Sequence, residues 1–304
     1  MNVIEKIATE LKLDRLYVSR IAERSSFYYK EYTVPKRNGE PRYIAQPSPE
    51  LKTLQYWVSY NILDKLPVSK AAYAYKKGDS IKRHAQLHAK SRFFLHADIR
   101  NFFPSIKSSR LNPILRENKN IFDNLGLDME ESLGDIRKIC FKKDSLSIGA
   151  VSSPAISNVV MFSFDEIMLE YCKTNGYLYS RYADDIYISS KTYIPKDVLT
   201  FLQRELVKCG FTMNYRKTKF CSSKSRRKVT GLVITTDSRI SIGTESRKFI
   251  KKMVYDKLVH GKGDSYRILG YLSFLKDVEP NTYNNLIIKY SQYCNGDVIK
   301  ELSK

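Results

Sequence analysis

Acidic side chains are scarce in this chain relative to basic ones. In 304 residues, 32 Asp and Glu stand against 52 Lys and Arg, a formal net charge of +20 and a pI near 9.6. A globular enzyme of small neutral substrates needs no such imbalance, whereas a polyanionic partner does, and nucleic acid is the expected one. Long apolar runs are missing as well, which excludes a membrane-spanning helix, and no strongly amphipathic basic helix is present to carry a membrane-surface reading. The opening "MNVIEKIATELK" carries charges through what would be the apolar core of a signal peptide, so a cytoplasmic location is expected. Cysteine is sparse: Cys140, Cys172, Cys209, Cys221 and Cys294 are odd in number, scattered and without C-x-x-C spacing. That pattern excludes a disulfide framework, a zinc ribbon and a redox pair, and leaves reduced thiols. Internal repeats, low-complexity tracts and an interdomain linker are also absent.

What remains is an ordinary apolar fraction of 42%, enough for a folded protein, in a chain long enough for two or three subdomains. Apolar spacing over residues 2–23 predicts short helices forming an N-terminal cap. "YYKEYTVPKRNGEPRYIAQPS" alternates aromatic and β-branched residues around Asn38-Gly39, the pattern of a hairpin with a basic tip. Helical spacing returns over "ELKTLQYWVSYNILDKL". "FFLHADIRNFFPSI" reads as a strand ending at Asp98 and turning into a helix, and residues 110–142 read as mostly helical. "SIGAVSSPAISN" opens as a small-residue loop and continues into one long helix stopping at Gly176. Strand formers surround Asp184 and Asp185, a helix closes at Gly210, "KVTGLVIT" through "ISIG" reads as strands, and the C-terminal part is helical. The order predicts an α+β sheet with helices on one face.

Asp184 and Asp185 pose a physical problem. Burying two adjacent carboxylates is costly unless a cation neutralises them. If the strand ending at Asp98 neighbours this segment in one sheet, three carboxylates converge into a hard-oxygen site suited to Mg²⁺, which serves phosphoryl transfer. The plainer reading is that Asp184 and Asp185 form an ordinary hairpin turn, in which Asp is common.

Three ordered motifs, "ADIRNFFPSI", "GAVSSPAISN" and "YADD", together resemble the palm of a reverse transcriptase, and the similarity runs from about residue 30 to residue 240. The resemblance implies a right-hand polymerase fold with fingers, an antiparallel-sheet palm and a helical thumb. Residues 1–97 would form the cap and fingers, 98–236 the palm with a helical fingers insertion at about 110–147, and 237–304 the thumb. It implies Asp98 and Asp184 as ligands of two Mg²⁺ ions, Asp185 as a third supporting acid, and the Ile99 carbonyl as a further ligand. Phe103 would close the sugar pocket against a 2′-hydroxyl; its plainer role is core packing beside Phe102. Arg42 would grip the triphosphate of a dNTP, assisted by Lys36 or Arg37, for which an exposed hairpin charge is the competing reading. Ser153 would contact the nucleotide. Lys217 would protonate departing pyrophosphate, against the plainer reading of a surface base in the window 215–228, which holds seven Lys and Arg and no acid. One departure stands out: the family's usual Gln before the loop glycine is Ile148 here, which cannot donate hydrogen bonds to a nucleotide sugar.

With 304 residues the chain leaves no room for an RNase H, integrase, protease or maturase domain behind the thumb, so a compact bacterial type is expected. "SRRKVTGLVIT" is similar to the signature of retron reverse transcriptases at Val229, Thr230 and Gly231, and "HAQLH" partly matches that group's Asn-Ala-x-x-His element, with His84 in place of Asn and His88 retained. A zinc pair from His84 and His88 lacks further ligands. Arg226, Arg227, Lys228, Val229, Thr230, Gly231 and His88 are the expected nucleic-acid contacts. A retron enzyme implies a structured noncoding RNA partner, priming from an RNA 2′-hydroxyl, a branched RNA–DNA product and an antiphage role with an effector protein. The alternatives are another short bacterial reverse transcriptase, of diversity-generating or abortive-infection type, and an inactive RNA-binding scaffold on the same fold, for which Ile148 is the only supporting feature.

Overall fold

The computed structural model describes residues 1–36, 39–222, 224–294 and 296–303. Helices α1 (Val3–Glu10) and α2 (Arg15–Glu23) each start on a capping side chain, Asn2 and Asp14, which satisfies backbone N–H groups the first turn leaves open. Strands β1 (Tyr29–Pro35) and β2 (Pro41–Pro47) form the expected hairpin, with Val34 opposite Arg42. Arg37 and Asn38, expected as an assisting cation and as half of the turn, lie outside the described residues. Then follow α3 (Pro49–Asn61), α4 (Ile81–Leu87) and β3 (Phe93–Asp98). Next come α5 (Phe102–Ser105), α6 (Ser108–Glu117), α7 (Asn120–Leu125) and α8 (Met129–Cys140).

The helix expected to run unbroken to Gly176 is two, α9 (Ser153–Val160) and α10 (Phe162–Thr174), with Met161 capping one and starting the other. Strands β4 (Leu178–Tyr182) and β5 (Asp185–Ser190) enclose the Ala183-Asp184 turn. They are followed by α11 (Lys196–Lys208), β6 (Lys219–Cys221), β7 (Arg227–Val229), β8 (Leu232–Ile234) and β9 (Ile240–Ser241). Helices α12 (Thr244–His260), α13 (Ser265–Val278), α14 (Pro280–Tyr290) and α15 (Val298–Leu302) complete the described chain. One four-stranded sheet has the order β4-β5-β3-β6, and a three-stranded antiparallel sheet has the order β7-β8-β9.

The chain divides into two compact units assembled from non-contiguous segments. The first comprises residues 1–77, 96–188 and 195–219, and the second residues 78–95, 189–194 and 220–304. In the first unit, α1, α2 and α3 pack against α8. The Ile4 N–H donates to Asp135 Oδ2 at 3.3 Å, and Trp57 Nε1 donates to Glu10 Oε2 at 2.7 Å. The fully buried Gln55 amide ties three elements together: it donates to the Tyr29 hydroxyl and the Ile139 carbonyl and accepts from the Val151 N–H. A buried amide so fully partnered stabilises one arrangement of its neighbours over others, because leaving any of these groups unpaired is costly. In the second unit, α4 packs against β7, β8 and β9, while α12, α13 and α14 pack on one another through Ile250, Val254, Ile268, Leu272 and Leu286.

Candidate active site

Backbone hydrogen bonds in the first unit bring Asp98 and the Ala183-Asp184 turn together. The Ile99 N–H donates to the Asp184 carbonyl at 2.9 Å, the Asn214 N–H donates to the Asp98 carbonyl at 2.7 Å, and the Arg100 N–H donates to the Thr212 carbonyl at 2.8 Å. The end of β3 is therefore held between the turn and the segment after α11. The turn joins two adjacent strands with only two residues, which forces Ala183 into the left-handed region at φ +56°. For a residue with a Cβ, that conformation costs about 1–2 kcal/mol and needs support from its surroundings.

The electrostatics follow from this placement. The Asp184 carboxyl is pushed up to about 6 by burial first, then by the neighbouring charges of Asp185 and Asp98. Asp98, only 3% exposed, is met by the Lys217 ammonium, whose Nζ lies 2.7 Å from its Oδ2. Desolvation lowers the lysine's pKa, but the Asp98 hydrogen bond and the charges of Asp98, Asp184 and Asp185 outweigh it and leave it raised. Asp185 Oδ1 lies 2.7 Å from His96 Nε2, and the His96 ring sits 4.6 Å from that of Tyr187. Among the described residues no three His, Cys, Asp or Glu side chains stand as a ready-made metal cluster; Asp98 and Asp185 instead hold Lys217 and His96. The donor set nevertheless fits a hard divalent cation. Three carboxylates share one locality, the neighbours of Asp184 disfavour its charge, and an ammonium already sits on Asp98 where positive charge is needed.

Around this centre, Phe103 is half-buried and packs on Phe102 at 5.5 Å and on Tyr75 at 6.3 Å between ring centroids. Tyr75 has its hydroxyl pKa raised by burial and, next, by the Asp184 charge, while Arg42 lowers it. Arg42 is exposed on β2 and so lies within electrostatic reach of the same locality. Lys36 is turned instead toward Glu40, with Nζ 3.4 Å from Oε2. The small-residue loop packs against β2: the Ala45 N–H donates to the Ile148 carbonyl at 2.9 Å. Gly149 has φ +113°, and a Cβ there would lie 2.9 Å from the Ala45 carbonyl oxygen, so only glycine fits this approach. Ile148 thus serves the site through its backbone. Ser153 is buried at the start of α9, and its Oγ has no hydrogen-bond partner among the described residues.

The sequence motifs did not reveal Tyr75, His96 or the pair formed by Arg181 and Asp165. Arg181 and Asp165 are both fully buried, with the guanidinium forked on the carboxylate at 2.7–3.1 Å. Arg181 immediately precedes the "YADD" motif, and an arginine in an apolar strand is a signal of a buried partner.

The retron-type residues belong to the second unit. Thr230 and Gly231 form the tight turn between β7 and β8, with φ +45° and +87°. Arg226 and Lys228 are exposed, and Arg226 Nη1 lies 3.8 Å from Glu245 Oε1. Three expected nucleic-acid contacts are corrected by burial. Val229 has no exposed surface and is core. Arg227 is 6% exposed, and its guanidinium donates to the carbonyls of Ser91 and Thr235, satisfying backbone groups rather than phosphates. His88 is fully buried with Nδ1 2.7 Å from Ser189 Oγ; burial, and then the neighbouring His84, lower its pKa to about 3, so the ring is neutral and offers RNA no surface.

The family model described as reverse transcriptase (RNA-dependent DNA polymerase) matches residues 34–271. The retron Ec86 reverse transcriptase of Escherichia coli is 33% identical, over 94% of this chain and 87% of that protein. The retron Ec73 reverse transcriptase of the same organism is 32% identical over 96% of both. Among solved structures, apo telomerase from Candida tropicalis matches with a TM-score of 0.51 at 11% identity, covering 90% of this chain and 61% of that one, a likeness of fold alone. A half-buried carboxylate turn on a reverse-transcriptase fold, matched by relatives along nearly the whole chain, places this protein in the reverse transcriptase family, among the retron reverse transcriptases, as an RNA-directed DNA polymerase.

Proposed function

We propose that this polymerase copies a structured noncoding RNA into DNA that stays joined to the RNA as a branched hybrid, primed from an RNA 2′-hydroxyl, and that it does so in antiphage defence with an effector protein. The observation that carries the catalytic part is the meeting of Asp98, Asp184 and Asp185 with the Asp184 carboxyl pushed up to about 6. Asp98 and Asp184, with the Ile99 carbonyl, would hold two Mg²⁺ ions, which when bound supply Lewis-acid activation of the attacking hydroxyl and charge stabilisation of the leaving pyrophosphate. Asp185, held by His96, adds negative charge and supports the turn. Lys217, on Asp98 here, would deliver a proton to the leaving group. Phe103, backed by Tyr75, closes the sugar pocket of an incoming dNTP. Arg42 grips its triphosphate, with Lys36 as an auxiliary cation, and Ser153 supplies a hydroxyl toward the nucleotide.

In this reading residues 1–97 are cap and fingers, 98–236 palm with the insertion at about 110–147, and 237–304 thumb. Exposed Arg226 and Lys228, beside the Thr230-Gly231 turn, face the RNA backbone. The test is expression with the native upstream DNA, followed by a denaturing gel of extracted nucleic acid before and after RNase and debranching treatment. A short DNA tied covalently to RNA, absent from the Asp184→Asn/Asp185→Asn variant, is the expected result. If only ordinary template-primed synthesis appears, the polymerase chemistry stands and the branched product is withdrawn. DNA made by the double variant would overturn the metal-site reading.

A further inference from the structure

We propose that Arg181 is a positioning residue for polymerisation, holding the left-handed Ala183 turn that presents Asp184; this rests on the catalytic reading of Asp184 above. The guanidinium divides its donors among three partners. Nε and Nη2 fork onto Asp165 at 2.7–3.1 Å, and Nη1 donates to the Ala183 carbonyl at 3.0 Å. The Tyr179 hydroxyl donates to Asp165 Oδ1 at 2.6 Å, so the carboxylate is held from a second side. Arg181 Nη2 also donates to Asn158 Oδ1 at 3.2 Å, and Asn158 Nδ2 donates to the Ala74 carbonyl at 2.9 Å.

One buried cation therefore joins α9, α10, β4, the catalytic turn and the segment leading to Tyr75. The backbone repeats the link: the Arg181 N–H donates to the Ala71 carbonyl and the Tyr73 N–H to the Arg181 carbonyl, both at 2.8 Å. Anchoring a two-residue turn does not require a fully buried charge, and a purely structural ion pair is replaceable by apolar residues. The distinguishing feature is the third donor, spent on the carbonyl of the one residue in the turn that carries a Cβ at positive φ. Lysine would keep the charge opposite Asp165 but has a single ammonium in place of a planar fork, so it cannot reach both groups with the same geometry.

The experiment compares wild type, R181K, A183G and R181K/A183G. The readouts are turnover on poly(rA)/oligo(dT) at saturating dTTP, its Mg²⁺ dependence, RNA binding by fluorescence anisotropy, and thermal stability. R181K is expected to bind RNA within about twofold of wild type and to lose about tenfold in turnover, with a raised Mg²⁺ requirement. A183G, which adopts the left-handed turn without support, is expected to restore most of that loss in the R181K background without restoring its melting temperature. Wild-type turnover in R181K, or a loss that A183G leaves untouched, would overturn the proposal. Should R181K not fold, the same rescue is read in R181M/D165L; a pair replaceable in neither way belongs to folding rather than to the turn and also overturns it. D184N is the control: if it remains active, the site reading itself fails, whereas an inactive D184N beside a fully active R181K removes only the role of Arg181.

Discussion

At the scale of single residues, the site is a problem of charge. Three carboxylates share one locality; the Lys217 ammonium sits on Asp98, and the His96 ring is hydrogen-bonded to Asp185. Lys217→Ala is expected to lower turnover by about 10²-fold, the size of effect typical of a lost general acid, while dNTP KM changes little; single-nucleotide incorporation kinetics measure both. Gly149 offers a second residue-scale prediction. Gly149→Ala combines a Cβ 2.9 Å from the Ala45 carbonyl oxygen with a left-handed φ, so it should cost about 2 kcal/mol or more in denaturant unfolding. It should also raise dNTP KM, because β2, which carries Arg42, must shift to admit the methyl group. The aspartates were legible in the sequence because acids crowded by strand formers are chemically conspicuous. His96 and Tyr75 were not, since histidine and tyrosine are unremarkable in any strand or loop until their neighbours are known.

At the scale of elements, local chemistry predicts most of what forms. The capping side chains of α1 and α2, the hairpin of β1 and β2 and the stop of α11 at Gly210, φ +66°, all follow from neighbouring residues. The break at Met161 did not, because nothing in "SNVVMFSF" interrupts helical spacing. The "VTG" element, which marks the retron type in sequence, is in physical terms a tight hairpin turn with a buried valine before it. Beside it, the buried His88 caps the C-terminus of α4. The ordinary histidine value is 6.5 and the folded value is about 3, so the unfolded chain takes up a proton in a window where the folded chain does not. Stability is therefore present above pH 6.5 and lost as pH falls toward 3, at up to about 1.4 kcal/mol per pH unit. Denaturant titrations of wild type and His88→Gln across that range test this: the difference between the two should shrink as the pH falls.

At the scale of the whole molecule, the net charge of +20 makes electrostatics with a polyanion the dominant association term. RNA affinity should fall steeply with salt, by about 10³-fold or more between 50 and 200 mM if about six phosphates are neutralised, and anisotropy titrations give the slope. Arg226→Ala and Lys228→Ala should each flatten that slope, whereas Arg227→Ala should leave it alone and destabilise the fold, because its guanidinium holds two carbonyls. The two compact units draw on segments far apart in the chain, 78–95 and 189–194 grouping with 220–304. Boundaries drawn along the sequence do not coincide with such units, because compactness is set by contacts and not by chain order.

The amino-acid sequence alone determined the class of chemistry and the α+β organisation, and it singled out a polyanionic partner and three candidate catalytic acids. Each of these rests on residue type and on local spacing, which are complete in the linear chain. Tertiary structure alone decided which polar groups meet: Lys217 with Asp98, His96 with Asp185, Gln55 with the loop at Val151, and Arg181 with Asp165 and the Ala183 carbonyl. It also withdrew Arg227, Val229 and His88 from the nucleic-acid surface. The reason is that a side chain's role depends on its burial and its partners, and both are set by packing between segments that the sequence keeps apart.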